Sequence, residues 1–249
     1  MSNTEARDST AAFAKKYTNT EENLKEERKE QRKEQYKIKI CGMRRKEDIR
    51  AANRWRPDAI GFICTSRFWR YITMEQAAEL RAMLDPSITA CGVFVNEPYE
   101  YIAEYLKRGI INAVQLHGDE DEYYIRQLRK VMIFQDTLVP VIKAFKISSE
   151  RDMLRAKASI ADYVLLDSGA GTGKRFDWKL IRDIGRPFFL AGGITPENIR
   201  EAAERFRPYC LDLSSGVETD RVKDPEKIRR AIENLRRQDS TGCCADPLG

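Results

Sequence analysis

Tyr163-Val164-Leu165-Leu166-Asp167-Ser168-Gly169-Ala170-Gly171-Thr172-Gly173-Lys174-Arg175-Phe176-Asp177-Trp178 begins as an apolar run of strand character, stops at a carboxylate and opens into a loop with glycine at alternate positions. Such a stretch reads as a strand that ends in a site. Glycines at this spacing let backbone N–H groups converge on an anion, and Lys174 adds charge beside them, so phosphate is the expected ligand of Gly171 and Gly173. A flexible turn would have the same composition, and the remainder of the chain has to decide between the two.

Outward from this stretch, short apolar strands alternate with amphipathic helical segments. The expected strands are Lys37 to Cys41, Ala59 to Cys64, Ala90 to Val95, Ala113 to Leu116, Val139 to Phe145, Tyr163 to Leu166, Pro187 to Ala191 and Tyr209 to Leu213. The helical segments are Lys46 to Arg54, Met74 to Leu84, Glu97 to Lys107, Glu120 to Val131, Glu150 to Ala158, Trp178 to Ile184, Pro196 to Phe206 and Asp224 to Arg237. Eight strand–helix repeats predict an α/β fold, a small (β/α)8 TIM barrel over residues 37–237. An open doubly wound sheet is the alternative, but no strand–glycine–helix unit carries the dinucleotide fingerprint.

Two extensions flank the barrel. Residues 1–36 balance their positive and negative charges. The first part is expected to be disordered, and Thr20 to Gln35 to form a solvated helix with Leu24 as its only aliphatic side chain, opened by the Thr18/Glu21 capping-box spacing. No partner for this helix can be named from its sequence. Residues 238–249 read as a loose tail in which the adjacent Cys243 and Cys244 are incidental.

With 42% hydrophobic and 33% charged residues, the 249-residue chain suits one globular domain. No apolar run approaches a membrane span and the N-terminus is unlike a signal peptide, so neither membrane nor export is expected and the cytoplasm is the expected location. The scattered Cys41, Cys64, Cys91 and Cys210 read as reduced thiols. A single histidine, His117, makes a histidine-clustered metal site hard to build. The net charge of +5 includes no one-sign basic block, so nucleic acid is not an expected partner, whereas a small phosphorylated substrate is.

A barrel's chemistry sits where its strands end. Period-two alternation turns Lys39 and Cys41 inward on strand 1, Ile38 and Ile40 outward, and Asp212 inward on the neighbouring strand 8. Strand 6 contributes Asp167, and strand 4 ends on His117. At an ordinary pKa only about 3% of a thiol is ionised at pH 7, and a nearby Lys39 ammonium is expected to raise that fraction at Cys41. Lys39 could instead simply pair with Asp212. Cys41 and a carboxylate across the barrel form a plausible base and acid. Gly192 and Gly193 after strand 7, with Ser215 and Gly216 after strand 8, join the earlier glycine loop as the expected phosphate grip. Pairing of Cys41 with His117 for acyl transfer is disfavoured, because strands 1 and 4 lie nearly opposite each other.

Lys39-Ile-Cys-Gly-Met43, Gly92-Val-Phe-Val-Asn96, Val114-Gln-Leu-His-Gly-Asp-Glu120, Leu165-Leu-Asp167 with Gly171-Thr-Gly-Lys-Arg-Phe-Asp-Trp178, Leu190-Ala-Gly-Gly-Ile-Thr-Pro-Glu-Asn198 and Asp212-Leu-Ser-Ser-Gly-Val-Glu218 together resemble the phosphoribosylanthranilate isomerases of tryptophan biosynthesis. The resemblance covers about residues 37–236. It implies an Amadori rearrangement of N-(5'-phosphoribosyl)anthranilate to 1-(2-carboxyphenylamino)-1-deoxyribulose 5-phosphate, with no metal or organic cofactor, Cys41 as general base and Asp167 as general acid. It also implies that Arg70 holds the anthranilate carboxylate and that Asp212 contacts substrate; Lys39 and His117, from their places at the strand ends, complete the expected substrate-binding set. Cys64-Thr-Ser-Arg67-Phe-Trp-Arg70 departs from the family's usual run and leaves Arg67 as a rival to Arg70. The charged N-terminal extension also lies outside the family pattern. The alternatives are another phosphosugar isomerase and a non-catalytic phosphate-binding barrel.

Removing residues 1–35 is expected to leave melting temperature and turnover unchanged, since the segment is charge-balanced and nearly free of aliphatic side chains. A large fall in melting temperature would show that it packs on the barrel.

Overall fold

The computed structural model describes residues 36–167, 181 and 184–237. Eight parallel strands close on themselves in sequence order: β1 Lys37–Cys41, β2 Ala59–Ile63, β3 Thr89–Phe94, β4 Ala113–Leu116, β5 Val141–Lys146, β6 Tyr163–Asp167, β7 Phe188–Ala191 and β8 Cys210–Leu213. The helices among the described residues are α1 Lys46–Trp55, α2 Met74–Met83, α3 Tyr99–Lys107, α4 Glu122–Phe134, α5 Glu150–Ala158, α6 Ile199–Phe206 and α7 Pro225–Arg236. The expected TIM barrel is therefore the fold. The expected N-terminal helix, the Gly171 to Gly173 loop, most of the expected Trp178 to Ile184 helix, and the tail lie outside the described residues.

Strand alternation divides the core into two layers. Outward Ile38, Ile40, Ile60, Phe62, Leu211 and Leu213 are all fully buried beneath the helices, which contribute Ile49, Ile102, Ile125, Leu128 and Ile228. Each such side chain stabilises the fold by roughly 1.5–3 kcal/mol relative to exposure. Inside the barrel, Cys91, Ala113, Ile142, Ala144, Leu165, Phe189, Ala191 and Cys210 form a second cluster, against which Tyr163 and Tyr209 pack. Interior side chains fill this barrel, so a ligand has to enter from a strand end.

Three turns repeat one device. Asp58, Asn112 and Asp162, each immediately before an even-numbered strand, accept the N–H of Ile38, Ala90 and Val141 on the preceding odd-numbered strand at 2.9, 2.8 and 2.8 Å. The backbone donor left over near the start of β1, β3 and β5 is thereby satisfied.

Where elements begin or end differently from the periodicity, local hydrogen bonding explains it. Strand β5 starts at Val141 because Pro140 has no N–H for the ladder. Val95 leaves β3 to donate to Thr65 Oγ1 at 2.9 Å. Helix α3 starts after Pro98, which holds Glu97 out of the helical region. Helix α4 starts at Glu122 because Asp121 is its cap, accepting from Tyr124 N at 2.8 Å. Glu120 turns inward instead and meets Lys143 Nζ at 3.0 Å, while also accepting from the N–H groups of Asn96 and Gly118. Helix α6 starts at Ile199 because Asn198 caps the turn before it, accepting from Thr195 N at 2.8 Å and donating to Gly193 O at 2.9 Å. A hairpin, β9 Glu218–Thr219 and β10 Val222–Lys223, was not foreseen. Its two-residue turn places Asp220 and Arg221 at φ 51° and 62°, the left-handed pair that matches strand twist.

Lys143 and Glu120 are both buried. Lys143→Met is expected to lower unfolding free energy by about 3–5 kcal/mol, because it strands a buried carboxylate. Breaking the far more exposed Arg129–Asp162 pair with Arg129→Ala is expected to cost less than about 1 kcal/mol. Urea denaturation of both variants reads the contrast, and equal losses would show that burial does not separate them.

Candidate active site

The inward residues at the ends of β1 and β8 meet across the seam where the barrel closes. Lys39 and Asp212 are register partners, and Lys39 Nζ donates to Asp212 Oδ2 at 2.9 Å with both side chains buried. Asp212 Oδ1, also buried, makes no hydrogen bond among the described residues. A Cβ built on Gly61 would lie 2.8 Å from Cys41 Sγ and 3.2 Å from Lys39 Nζ, so thiol and ammonium share one pocket over that glycine of β2.

The charges in this pocket oppose one another. Burial draws the Lys39 ammonium down, but Asp212, Cys41 and Cys91 together more than offset it, and the pKa stays above the ordinary lysine value. Burial pushes the Cys41 thiol up, Lys39 and Lys223 pull it down, and Asp212 adds to the rise. The net shift is upward. This corrects the expectation that Lys39 would make the resting thiol more ionised: the lysine does act in that direction, but burial is the larger effect and Asp212 opposes part of what the lysine contributes.

On the opposite wall, β6 ends on Asp167 and β4 runs into His117. Gln115 Nε2 lies 2.8 Å from His117 Nδ1, and His117 Nε2 lies 3.3 Å from Asp167 Oδ2. An amide nitrogen only donates, so this amide orientation makes Nδ1 the acceptor and puts the imidazole proton on Nε2, aimed at Asp167. His117 thus turns toward Asp167 and not toward Cys41. Both line a cavity of about 870 Å³ with Arg67, Asn96, Lys143 and Lys146.

A third group covers the β1 end. Arg70 donates through Nε and Nη2 to the two carboxylate oxygens of Glu218 at 2.8 and 2.7 Å. Lys223 donates to Glu218 Oε1 at 2.7 Å and to Ser214 O at 2.9 Å. Ser214 Oγ in turn donates to Cys41 O at 3.1 Å. Burial raises the Glu218 pKa, but Arg70 and Lys223 together overcome it and hold the carboxyl below its usual range. Burial draws the Lys223 ammonium down further than Glu218 restores it. Arg67, by contrast, is exposed on the rim.

Gly192 and Gly193 follow β7 at φ 90° and 67°, and Ser215 begins a short 3-10 turn, Ser215–Val217, after β8. These loops touch: a Cβ on Gly216 would come within 1.9 Å of Ile194 O, a contact that only glycine allows. Gly171 and Gly173 lie outside the described residues. Among the described residues there is no group of three or more His, Cys, Asp or Glu side chains disposed to hold a metal ion, and no helix long and apolar enough to cross a membrane.

Residues 38–234 match the model of the family described as N-(5'-phosphoribosyl)anthranilate (PRA) isomerase. The chain belongs to that family. An N-(5'-phosphoribosyl)anthranilate isomerase of Endomicrobium trichonymphae is 42% identical over 205 residues, spanning 80% of this chain and 98% of that protein. One from Clostridium kluyveri is 41% identical over 203 residues, with the same coverage. Among solved structures, the isomerase of Thermotoga maritima superposes with a TM-score of 0.71 at 38% identity, covering 81% of this chain and 98% of its own. A phosphoribosylanthranilate isomerase in complex with reduced 1-(o-carboxyphenylamino)-1-deoxyribulose 5-phosphate superposes with a TM-score of 0.70 at 37% identity, with the same coverage.

The sequence placed Lys39, Cys41, His117, Asp167 and Asp212 at strand ends, and the structure puts them at one end of the barrel. It did not identify Lys223, the bond from Ser214 to Cys41, the contact of Gln115 with His117 or the ion pair made by Glu218. Glu218 stood in a quoted motif without a role, and Lys223 lies beyond the last strand, where periodicity carries no information about a hairpin.

Lys39→Met removes the cation that pulls the thiol down, while the burial that pushes it up remains. The pH at which Cys41 becomes reactive toward iodoacetamide, followed by peptide mass spectrometry, is expected to rise in this variant. A midpoint that is unchanged or lower would show that the pair does not govern the thiol.

Proposed function

We propose that this chain is an N-(5'-phosphoribosyl)anthranilate isomerase in which Cys41 is the general base and Asp167 the general acid. Family membership carries the reaction. The roles of the residues rest on the placement of a thiol and a carboxylate on opposite walls of one barrel mouth.

Asp167 protonates the ribose ring oxygen while the anthranilate nitrogen lone pair forms a C1=N iminium, which opens the ring. His117, in contact with Asp167, keeps that carboxyl oriented and supports the substrate beside it. The Cys41 thiolate then takes the proton from sugar carbon 2, and the electron pair moves into C1–C2 to restore the nitrogen lone pair. Carbon 1 then takes a proton from solvent and the enol O–H gives one up to solvent, which yields the amino-ketose, and the proton that Cys41 took is returned to Asp167 by way of solvent for the next turnover. The iminium is the electron sink, so the steps written here close without a metal or organic cofactor. Its positive charge also favours the thiolate at the moment the base is needed, which reconciles a raised resting pKa with a base role.

Asp212 supplies an unpaired buried oxygen suited to a sugar hydroxyl, with Lys39 behind it as its counter-ion. Arg70 holds the anthranilate carboxylate. Gly192, Gly193, Ser215 and Gly216, with Gly171 and Gly173, hold the phosphate, remote from the reacting carbons, where binding energy serves positioning. A small phosphorylated substrate and a cytoplasmic location follow from this reading.

Cys41→Ser is expected to lower kcat by about 10²- to 10⁴-fold with product affinity nearly intact, because an alcohol fits the space but is a poor base. Asp167→Asn is expected to do the same, since an amide cannot supply the ring-opening proton. Steady-state kinetics and product titration read both. Turnover near the parent's in Cys41→Ser would remove the thiol as base, and a change confined to KM in Asp167→Asn would make it a binding group.

A further inference from the structure

Arg70 is a long, flexible side chain, and gripping a substrate carboxylate bidentately requires one fixed orientation of its guanidinium plane. Three contacts fix it. Glu218 engages the Nε–Nη2 edge at 2.8 and 2.7 Å, the Trp69 ring lies under the guanidinium with its centroid 4.1 Å away, and the Arg70 Cδ packs where a Cβ of Gly42 would come within 2.6 Å. Gly42 directly follows Cys41, so the arginine is held over the residue next to the base. A guanidinium has two forks, and Glu218 takes only the one that includes Nε. The fork between Nη1 and Nη2 is left for a second carboxylate.

Glu218 is itself fixed. Its side chain is buried, and its hairpin partner in β10, Lys223, donates to it at 2.7 Å. One carboxylate faces two cations, so the group keeps a net positive charge for an incoming anion. The same short segment begins with the Ser215–Val217 turn. A solvent-exposed salt bridge would offer none of this order, and a purely structural bridge would not need to sit on the arginine beside Cys41.

We infer that Glu218 is a positioning residue that sets the orientation of Arg70 for the substrate's aryl carboxylate, so that the hairpin after β8 ties the carboxylate grip to the phosphate loop and selects a carboxylated aryl amine. This inference rests on the reading of Arg70 as the carboxylate ligand. Glu218→Gln keeps the volume but presents an NH2 where Arg70 requires an acceptor. Glu218→Asp keeps the charge and shortens the reach.

The test compares the product, 1-(2-carboxyphenylamino)-1-deoxyribulose 5-phosphate, with its counterpart lacking the aryl carboxylate, by calorimetric titration of the full chain and of Arg70→Ala, Arg67→Ala, Glu218→Gln and Glu218→Asp. KM and kcat for the substrate are measured alongside. Glu218→Gln is expected to weaken the carboxylated ligand by about 10-fold, the scale of losing one ordered side chain, with KM rising in parallel. Affinity for the carboxylate-free ligand should be unchanged, which also shows that the site is folded. Glu218→Asp should fall between Gln and the parent. Equal weakening of both ligands by Glu218→Gln, or no weakening while Arg70→Ala weakens only the carboxylated one, would overturn the inference and leave the reading of Arg70 standing. If Arg70→Ala does not discriminate between the ligands, or Arg67→Ala does so instead, the reading of Arg70 fails and the inference with it.

Discussion

The ion pair between Lys39 and Asp212 is the constraint on which the rest of the site depends. It lies in the seam where β1 and β8 close the barrel, buried among Cys41, Cys91 and Cys210. Neither charge could remain there alone, since the cost of desolvating an unpaired ion is several kcal/mol. Two apolar side chains of similar volume would fill the same space at least as well. Stability therefore does not account for the pair, but its position against the candidate base does.

From that pair the electrostatics extend outward in steps. Burial pushes the Cys41 thiol up, and Asp212 opposes part of the downward pull of Lys39, so the thiol is held protonated at rest. The second buried ammonium, Lys223, is similarly occupied by Glu218, which is shared with Arg70. Each ammonium near the thiol thus faces a carboxylate, and Glu218 divides its charge between Lys223 and Arg70. Under the proposed roles, such a site would keep its base inactive until the iminium forms, in keeping with binding energy being used in the transition state and not in the ground state.

The fold was legible because two periods alternate cleanly: Ile38 and Ile40 against Lys39 and Cys41 on β1, and Leu211 and Leu213 against Cys210 and Asp212 on β8. Strand ends are legible for the same reason, which is why the sequence places Cys41, Asp167 and Asp212 at one end of the barrel. The failures lie where side chains outside the strands compete for backbone groups. Asp121 takes the cap of α4 and frees Glu120 for Lys143, Asn198 delays α6, and a two-residue turn with two left-handed residues makes the β9–β10 hairpin. Nor does the pattern of residue types give the sign of a pKa shift. The nearness of Lys39 to Cys41 was readable, but the relative weight of burial and of Asp212 was not.

The most direct measurement of whether Cys41 is the base sets two pH profiles side by side in the parent protein. One is kcat/KM for N-(5'-phosphoribosyl)anthranilate, and the other is the alkylation rate of Cys41, read by mass spectrometry apart from the other cysteines. If the free enzyme's thiol must be ionised for reaction, both should rise with pH and share a midpoint above the ordinary thiol value. An activity profile that is flat across the pH range in which Cys41 becomes reactive would contradict the assignment.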